Sequence, residues 1–295
     1  MYQFNHAVEL LNLCREYKLS IPEITLRAEA EESGRNVEEI WRLTEENFRV
    51  MEESIRKGLN PDIRSVGGLI GGNAYKLSIY GQADTLSGRK IVKAASYALA
   101  VSEVNAAMGK IVAAPTAGSS GVVPGVIISI KEEKNLKLKD AIEGLLVAAA
   151  VGKIIAVNAT LSGAEGGCQA EIGSAAAMAA AAAVFMSGGK EQMCFDAASI
   201  ALKGLLGLVC DPVAGLVEVP CSKRNAVAAA VALISADMTL AGISSFIPFD
   251  EVVEAMSRVG RQMSPDLRET ARGGCAITPT ALAFTRHIIE QSDDL

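Results

Sequence analysis

Residues 168–186 read CQAEIGSAAAMAAAAAVFM, and Ser187, Gly188 and Gly189 follow. Alanine is the best helix former, and no Pro interrupts the run. The glycines after Ser187 supply a stop. From Ile172 onward the stretch has no polar face. A helix that is apolar all round lies inside a protein or a membrane. At about fifteen apolar residues it is short for a bilayer span, so it is predicted to be a buried core helix. Side chains this small let neighbouring helices approach closely.

Working outward, the same kind of pattern recurs. Helical spacing is predicted over 5–17, 37–57, 84–108, 138–158, 191–208 and 249–262, and from about Ser222 onward. Trp41 and Phe48 share one face of the second of these. Ser20 reads as an N-cap with Pro22 in the first turn. A loop over 114–125 runs into an apolar helix that ends near Lys134, and the tail is a loop plus a short helix. The best alternating segment, Val217-Glu218-Val219, is too short to call for a sheet. The predicted fold is all-α, a compact bundle of Ala-rich helices with loops at the helix ends. We read 1–295 as one unit, with a charged helical region over 1–60 and a core over 61–295.

Composition narrows the function. Half of the 295 residues are apolar, only 4% are aromatic, and the net charge is −6. No basic block stands out, which argues against a nucleic-acid partner. The N-terminus is amphipathic and lacks the apolar core of a signal peptide. The run 226–243 contains Asp237 and reads as a core helix, so no membrane association is expected. Six cysteines without secretory features point to a reducing, cytoplasmic setting.

Three of those cysteines adjoin Gly- or Pro-containing breaks: Cys168 in GAEGGCQAE, and Cys210 and Cys221 in LVCDPVAGLVEVPC. Loops and helix starts offer N–H groups that favour thiolates. Three thiolates can hold three irons of a 4Fe-4S cluster and leave the fourth iron open as a Lewis acid. The spacing fits neither a zinc ribbon nor the ferredoxin run. The alternative is that each is a small core residue. Cys14 and Cys194 read as packing residues, and Cys275 reads either as core or as a temporary fourth ligand.

The loop Thr116-Ala117-Gly118-Ser119-Ser120-Gly121 opens a helix. It is either an anion cradle, suited to a carboxylate or phosphate, or an ordinary capped start. Asn73 and Lys76 follow four glycines, where Lys76 either pairs with an anion or is solvated. Glu165 and Glu171 flank Cys168 as carboxylates able to support a site. Histidine occurs only as His6 and His287, so a proton-transfer role falls to another group.

Taken together, three motifs resemble the iron–sulfur-dependent L-serine dehydratases. They are Pro115-Thr116-Ala117-Gly118-Ser119, the stretch from Ser162 through Glu165, Cys168 and Glu171 to Gly173, and the stretch from Cys210-Asp211-Pro212-Val213 to Pro220-Cys221. Arg224-Asn225-Ala226 fits as well. The resemblance implies an all-helical catalytic domain, conversion of L-serine to pyruvate and ammonia, and cluster ligation by Cys168, Cys210 and Cys221. It implies substrate-carboxylate binding by Thr116, Ala117, Gly118 and Ser119; Asn73, Lys76 and Glu165 are read from their own positions in the sequence as groups that could surround the site. The chain looks like the α chain of the two-chain type, so the resemblance implies a separate β chain. A C-terminal capping cysteine, present in some single-chain members, is replaced here by Leu295. The alternatives are an iron–sulfur L-cysteine desulfidase, a pyridoxal-phosphate dehydratase with the Ser/Gly loop as phosphate cup, and a non-catalytic subunit.

Overall fold

The computed structural model describes residues 1–293, with side chains through 288. Thirteen α-helices run in order among the described residues: α1 Ala7–Tyr17, α2 Ile21–Ser33, α3 Val37–Gly58, α4 Asn73–Tyr80, α5 Arg89–Ala106, α6 Val122–Glu133, α7 Leu138–Asn158, α8 Gly163–Gly166, α9 Ser174–Met186, α10 Glu191–Gly204, α11 Cys221–Leu240, α12 Phe249–Gln262 and α13 Pro279–Asp293. The expected all-α class is what the chain adopts. Among the described residues the one pairing of extended backbone is an isolated bridge between Cys210 and Arg268.

α9 is the hub, surrounded by α6, α7, α10 and α11. Nearly every one of its residues is fully buried. A single π turn, Gln169–Gly173, leads into it. With that turn, Gln169–Met186 is long and apolar enough to cross a membrane by length and composition, but 89% of it is buried inside the protein. Small residues set the helix spacing. A Cβ on Gly144 would come within 2.7 Å of Met186 Sδ, which brings α7 against α9. A Cβ on Gly121 would lie 2.1 Å from the Ala98 carbonyl oxygen, so α6 starts on the backbone of α5.

Local signals hold at several helix ends. Ser20 caps α2 with Glu23, whose Oε2 accepts from Ser20 N at 2.8 Å and from Oγ at 2.7 Å. The helix expected over 84–108 begins only at Arg89, because Gly88 adopts a positive φ before it. The helix expected over 191–208 ends at Gly204. Val217-Glu218-Val219 forms no strand and lies in the turns before α11.

Candidate functional site

Four breaks in helical structure meet at one place: the loop before α6, the turn into α9, the segment between α10 and α11, and the segment after α12. They enclose a cavity of about 170 Å³ lined by Ala117, Gly118, Cys168, Glu171, Cys210, Pro212, Val217, Cys221 and Glu269. Cys168, Cys210 and Cys221 all line it and are buried, Cys168 coming from a part of the chain distant from the other two.

Each wall has a local cause. Gly167, at φ 74, turns the backbone so that Cys168 opens the π turn. Such a turn shifts residues out of ordinary helical phase, a device found at functional sites. It sets Cys168 and Glu171 on the same wall. Gly163 leaves room for them: a Cβ there would sit 2.5 Å from Glu171 Oε2 and 3.1 Å from Cys210 Sγ. Cys210 is held from outside by the C-terminal segment. Its N–H donates to the Leu267 carbonyl at 2.9 Å, and Glu269 N–H donates back to the Cys210 carbonyl at 2.8 Å.

The loop before α6 is fastened by Asn225 of α11. Its Nδ2 donates to the Gly118 carbonyl at 2.7 Å and to the Cys221 carbonyl at 2.9 Å, and its Oδ1 accepts from Gly121 N–H at 3.0 Å. Thr116 Oγ1 donates to Glu171 Oε1 at 2.7 Å and lies 3.0 Å from Ser119 Oγ. Ala117 and Gly118 line the cavity, while Thr116 holds Glu171 and is itself braced by Ser119.

Electrostatics favour a thiolate here. A hydrogen bond from Cys210 holds the Cys168 thiol below its ordinary pKa; burial opposes this, and the Arg224 guanidinium supports it. Cys210 is pushed up by that same bond and by burial. Burial pushes Cys221 up to about 12. Glu171 is raised, first by burial and then by the charge of Glu269, against the lowering bond from Thr116. Arg224 meets Asp211 Oδ1 at 2.8 Å and donates to the Val209 carbonyl at 2.8 Å. Asp211 Oδ2 in turn accepts from Cys275 N–H at 2.6 Å.

The donor set suits a multinuclear cluster. Among the described residues no three His, Cys, Asp or Glu side chains converge on a single-ion site. An iron–sulfur cluster bonds each cysteine to a different iron, so its ligands ring a cavity rather than meet at one point. Three thiols around a cavity, one of them held toward its anion beside an arginine, match that requirement.

The remaining sequence candidates lie elsewhere. Asn73 opens α4 and gives its N–H to Glu103 at 2.9 Å, while Lys76 is exposed. Glu165 accepts from Thr160 Oγ1 at 2.6 Å and is exposed. None of the three lines the cavity. Cys275 is exposed and reaches the site only through Asp211. Glu269 lines the cavity although no motif surrounds it, so sequence reasoning misses it. Glu171 is one carboxylate among several until the fold sets it in the cavity wall.

The model of the family described as "Serine dehydratase alpha chain" matches residues 16–276. The chain belongs to the serine dehydratase alpha chain family. Among relatives, the "Probable L-serine dehydratase, alpha chain" of Bacillus subtilis (strain 168) is 49% identical over 286 residues, covering 97% of this chain and 95% of the relative. The "L-serine dehydratase, alpha chain" of Peptoniphilus asaccharolyticus is 43% identical, covering 98% and 99%. A longer relative, "L-serine dehydratase TdcG" of Escherichia coli (strain K12), is 37% identical; the alignment takes in 94% of this chain and 62% of the relative.

Proposed function

We propose that this chain is the catalytic α chain of an L-serine dehydratase, an ammonia-lyase that converts L-serine to pyruvate and ammonia with a 4Fe-4S cluster held by Cys168, Cys210 and Cys221. The observation that carries the proposal is the gathering of those three thiols, from two segments far apart in the chain, around one cavity that also contains the half-buried carboxylate of Glu171. When bound, the cluster supplies a Lewis-acidic iron with an open position for the substrate hydroxyl, stabilising the charge that develops as hydroxide leaves.

This chain's own residues do the rest. The backbone of Ala117 and Gly118, in the loop before α6, receives the substrate carboxylate, where loop N–H groups favour an anion. Thr116, with Ser119 beside it, orients Glu171 by donating to Oε1. Glu171 is the acid–base group: its carboxylate lies against the reacting space and can take or return a proton at Oε2, which faces Cys210 Sγ at 3.8 Å. Loss of the Cα proton and of hydroxide leaves aminoacrylate. This tautomerises to an imine, and the water lost returns on hydrolysis as pyruvate and ammonia form.

A separate β chain completes the enzyme in a reducing cytoplasm. The alpha-chain names of the two relatives support the separate β chain, and six cysteines without a disulfide support the reducing setting. The test is anaerobic purification with and without a β chain, with iron and inorganic sulfide determined against protein. We expect about four of each per α chain and pyruvate from L-serine. Serine turnover by material free of inorganic sulfide would overturn the reading. Sulfide release from L-cysteine exceeding pyruvate from L-serine would move the substrate to a thiol.

A further inference from the structure

Val217 lines the cavity, and the next residue, Glu218, sends its carboxylate into the Gly-rich segment that precedes α4. Glu218 is only 3% exposed. Its Oε1 accepts from Gly67 N–H at 2.7 Å, and its Oε2 accepts from Ser65 Oγ at 2.6 Å and Leu69 N–H at 3.1 Å. The fit demands glycine at 67, since a Cβ there would lie 2.7 Å from Oε1 and 2.5 Å from Leu216 Cδ1. The segment is anchored in turn to the end of α5, where Val66 N–H donates to the Ala106 carbonyl at 2.9 Å. It is fixed a second time by Glu103 of α5, which accepts from Asn73 and Ala74 N–H groups at 2.9 and 3.4 Å.

The backbone of Glu218 does a second job. Its carbonyl accepts from Ser222 N–H at 3.0 Å, at the first turn of α11, the helix that Cys221 opens. One residue thus joins a rigid anchor on α5 to a cavity wall on one side and a proposed cluster ligand on the other.

We propose that Glu218 is a positioning residue of the dehydratase, holding Val217 and Cys221 at the cavity by clasping Ser65, Gly67 and Leu69. The inference rests on the cluster-dependent reading above. Both carboxylate oxygens are committed as acceptors to donor groups, so glutamine cannot substitute: its NH₂ would face another donor, leaving buried donors unpaired.

The full chain, prepared without oxygen together with its β chain, is compared as wild type, Glu218→Gln and Ser65→Ala. The readouts are iron and sulfide content, the rate at which cluster absorbance bleaches in air, and kcat and KM for L-serine well below the melting temperature. For Glu218→Gln we expect bleaching about ten-fold faster and kcat/KM lower by a similar factor, as loss of a buried hydrogen-bonded contact implies, with the helical circular dichroism unchanged. Ser65→Ala shifts both in the same direction by less. A role in folding alone would lower the melting temperature and leave the bleaching rate and KM of folded protein at wild-type values, and that result overturns the proposal. If Glu218→Gln does not fold, Ser65→Ala decides: bleaching and KM equal to wild type overturn it. Wild-type protein free of iron and sulfide would overturn the cluster reading and this inference with it, whereas loaded wild type with indifferent variants overturns this inference alone.

Discussion

Glu171 and Cys168 lie one turn of backbone apart and do different work. Cys168 is held toward its thiolate by Cys210 and Arg224, while Glu171 is held toward its acid by burial. Replacing Glu171 with glutamine keeps the volume and removes the proton exchange. We expect serine turnover to fall about 10²- to 10⁴-fold, the range for a lost general acid–base group, with iron and sulfide content retained. Cys210→Ala should lose both iron and activity, measured by metal and sulfide analysis of anaerobic protein. Cys14 and Cys194 lie outside the cavity. Burial raises Cys14 to about 11 and Cys194 to about 12. Their thiolates therefore form only at high pH, and below it these residues stay protonated and inert. Iodoacetamide at neutral pH should label the exposed Cys275 well before either, as read by mass spectrometry of the native chain.

Among the elements, the sharpest dependence is of the loop before α6 on α11. Asn225 is fully buried and ties that loop to the first turn of α11 through three hydrogen bonds. Asn225→Ala should destabilise the fold by about 1–3 kcal/mol, the cost of leaving buried groups unpaired, and should raise KM for serine as the Gly118 backbone drifts. Denaturant titration and steady-state kinetics check the two effects. Where α6 meets α5, Gly121→Ala forces a methyl group into the Ala98 carbonyl. Overpacking of this kind costs about 1–3 kcal/mol, visible as a lower denaturation midpoint. In α2 the sign with pH is fixed by Glu23, whose pKa is lowered by its bonds to Ser20. A lowered folded-state pKa stabilises above the unfolded value, and that stabilisation is lost as pH falls through the folded one. The stability difference between wild type and Glu23→Gln should therefore shrink as pH falls below the usual carboxylate range.

For the whole molecule, the same close helix packing that builds the bundle leaves the site at its edge. The cavity is walled by helix ends and by the C-terminal segment that runs along Cys210. The helix positions were legible in the sequence because alanine runs, caps and glycine stops are local signals. The three cysteines stand out in the sequence because each lies beside a break in helical sequence, and the fold brings them to one cavity. Lys76 and Glu165 are weaker candidates in the sequence, since proximity to glycines or to Cys168 carries no direction, and the fold turns both to solvent. Glu269 carries no signal in the sequence: it is brought to the cavity by the backbone pairing of Cys210 with Leu267 and with Glu269 itself. Sequence alone thus determined the helical class, the buried α9 and the sulfur ligand candidates, because propensity and polarity act over a few residues. Only the tertiary structure decided which carboxylates share the cavity with the thiols. That choice depends on backbone contacts between segments far apart in the chain, which no local pattern encodes.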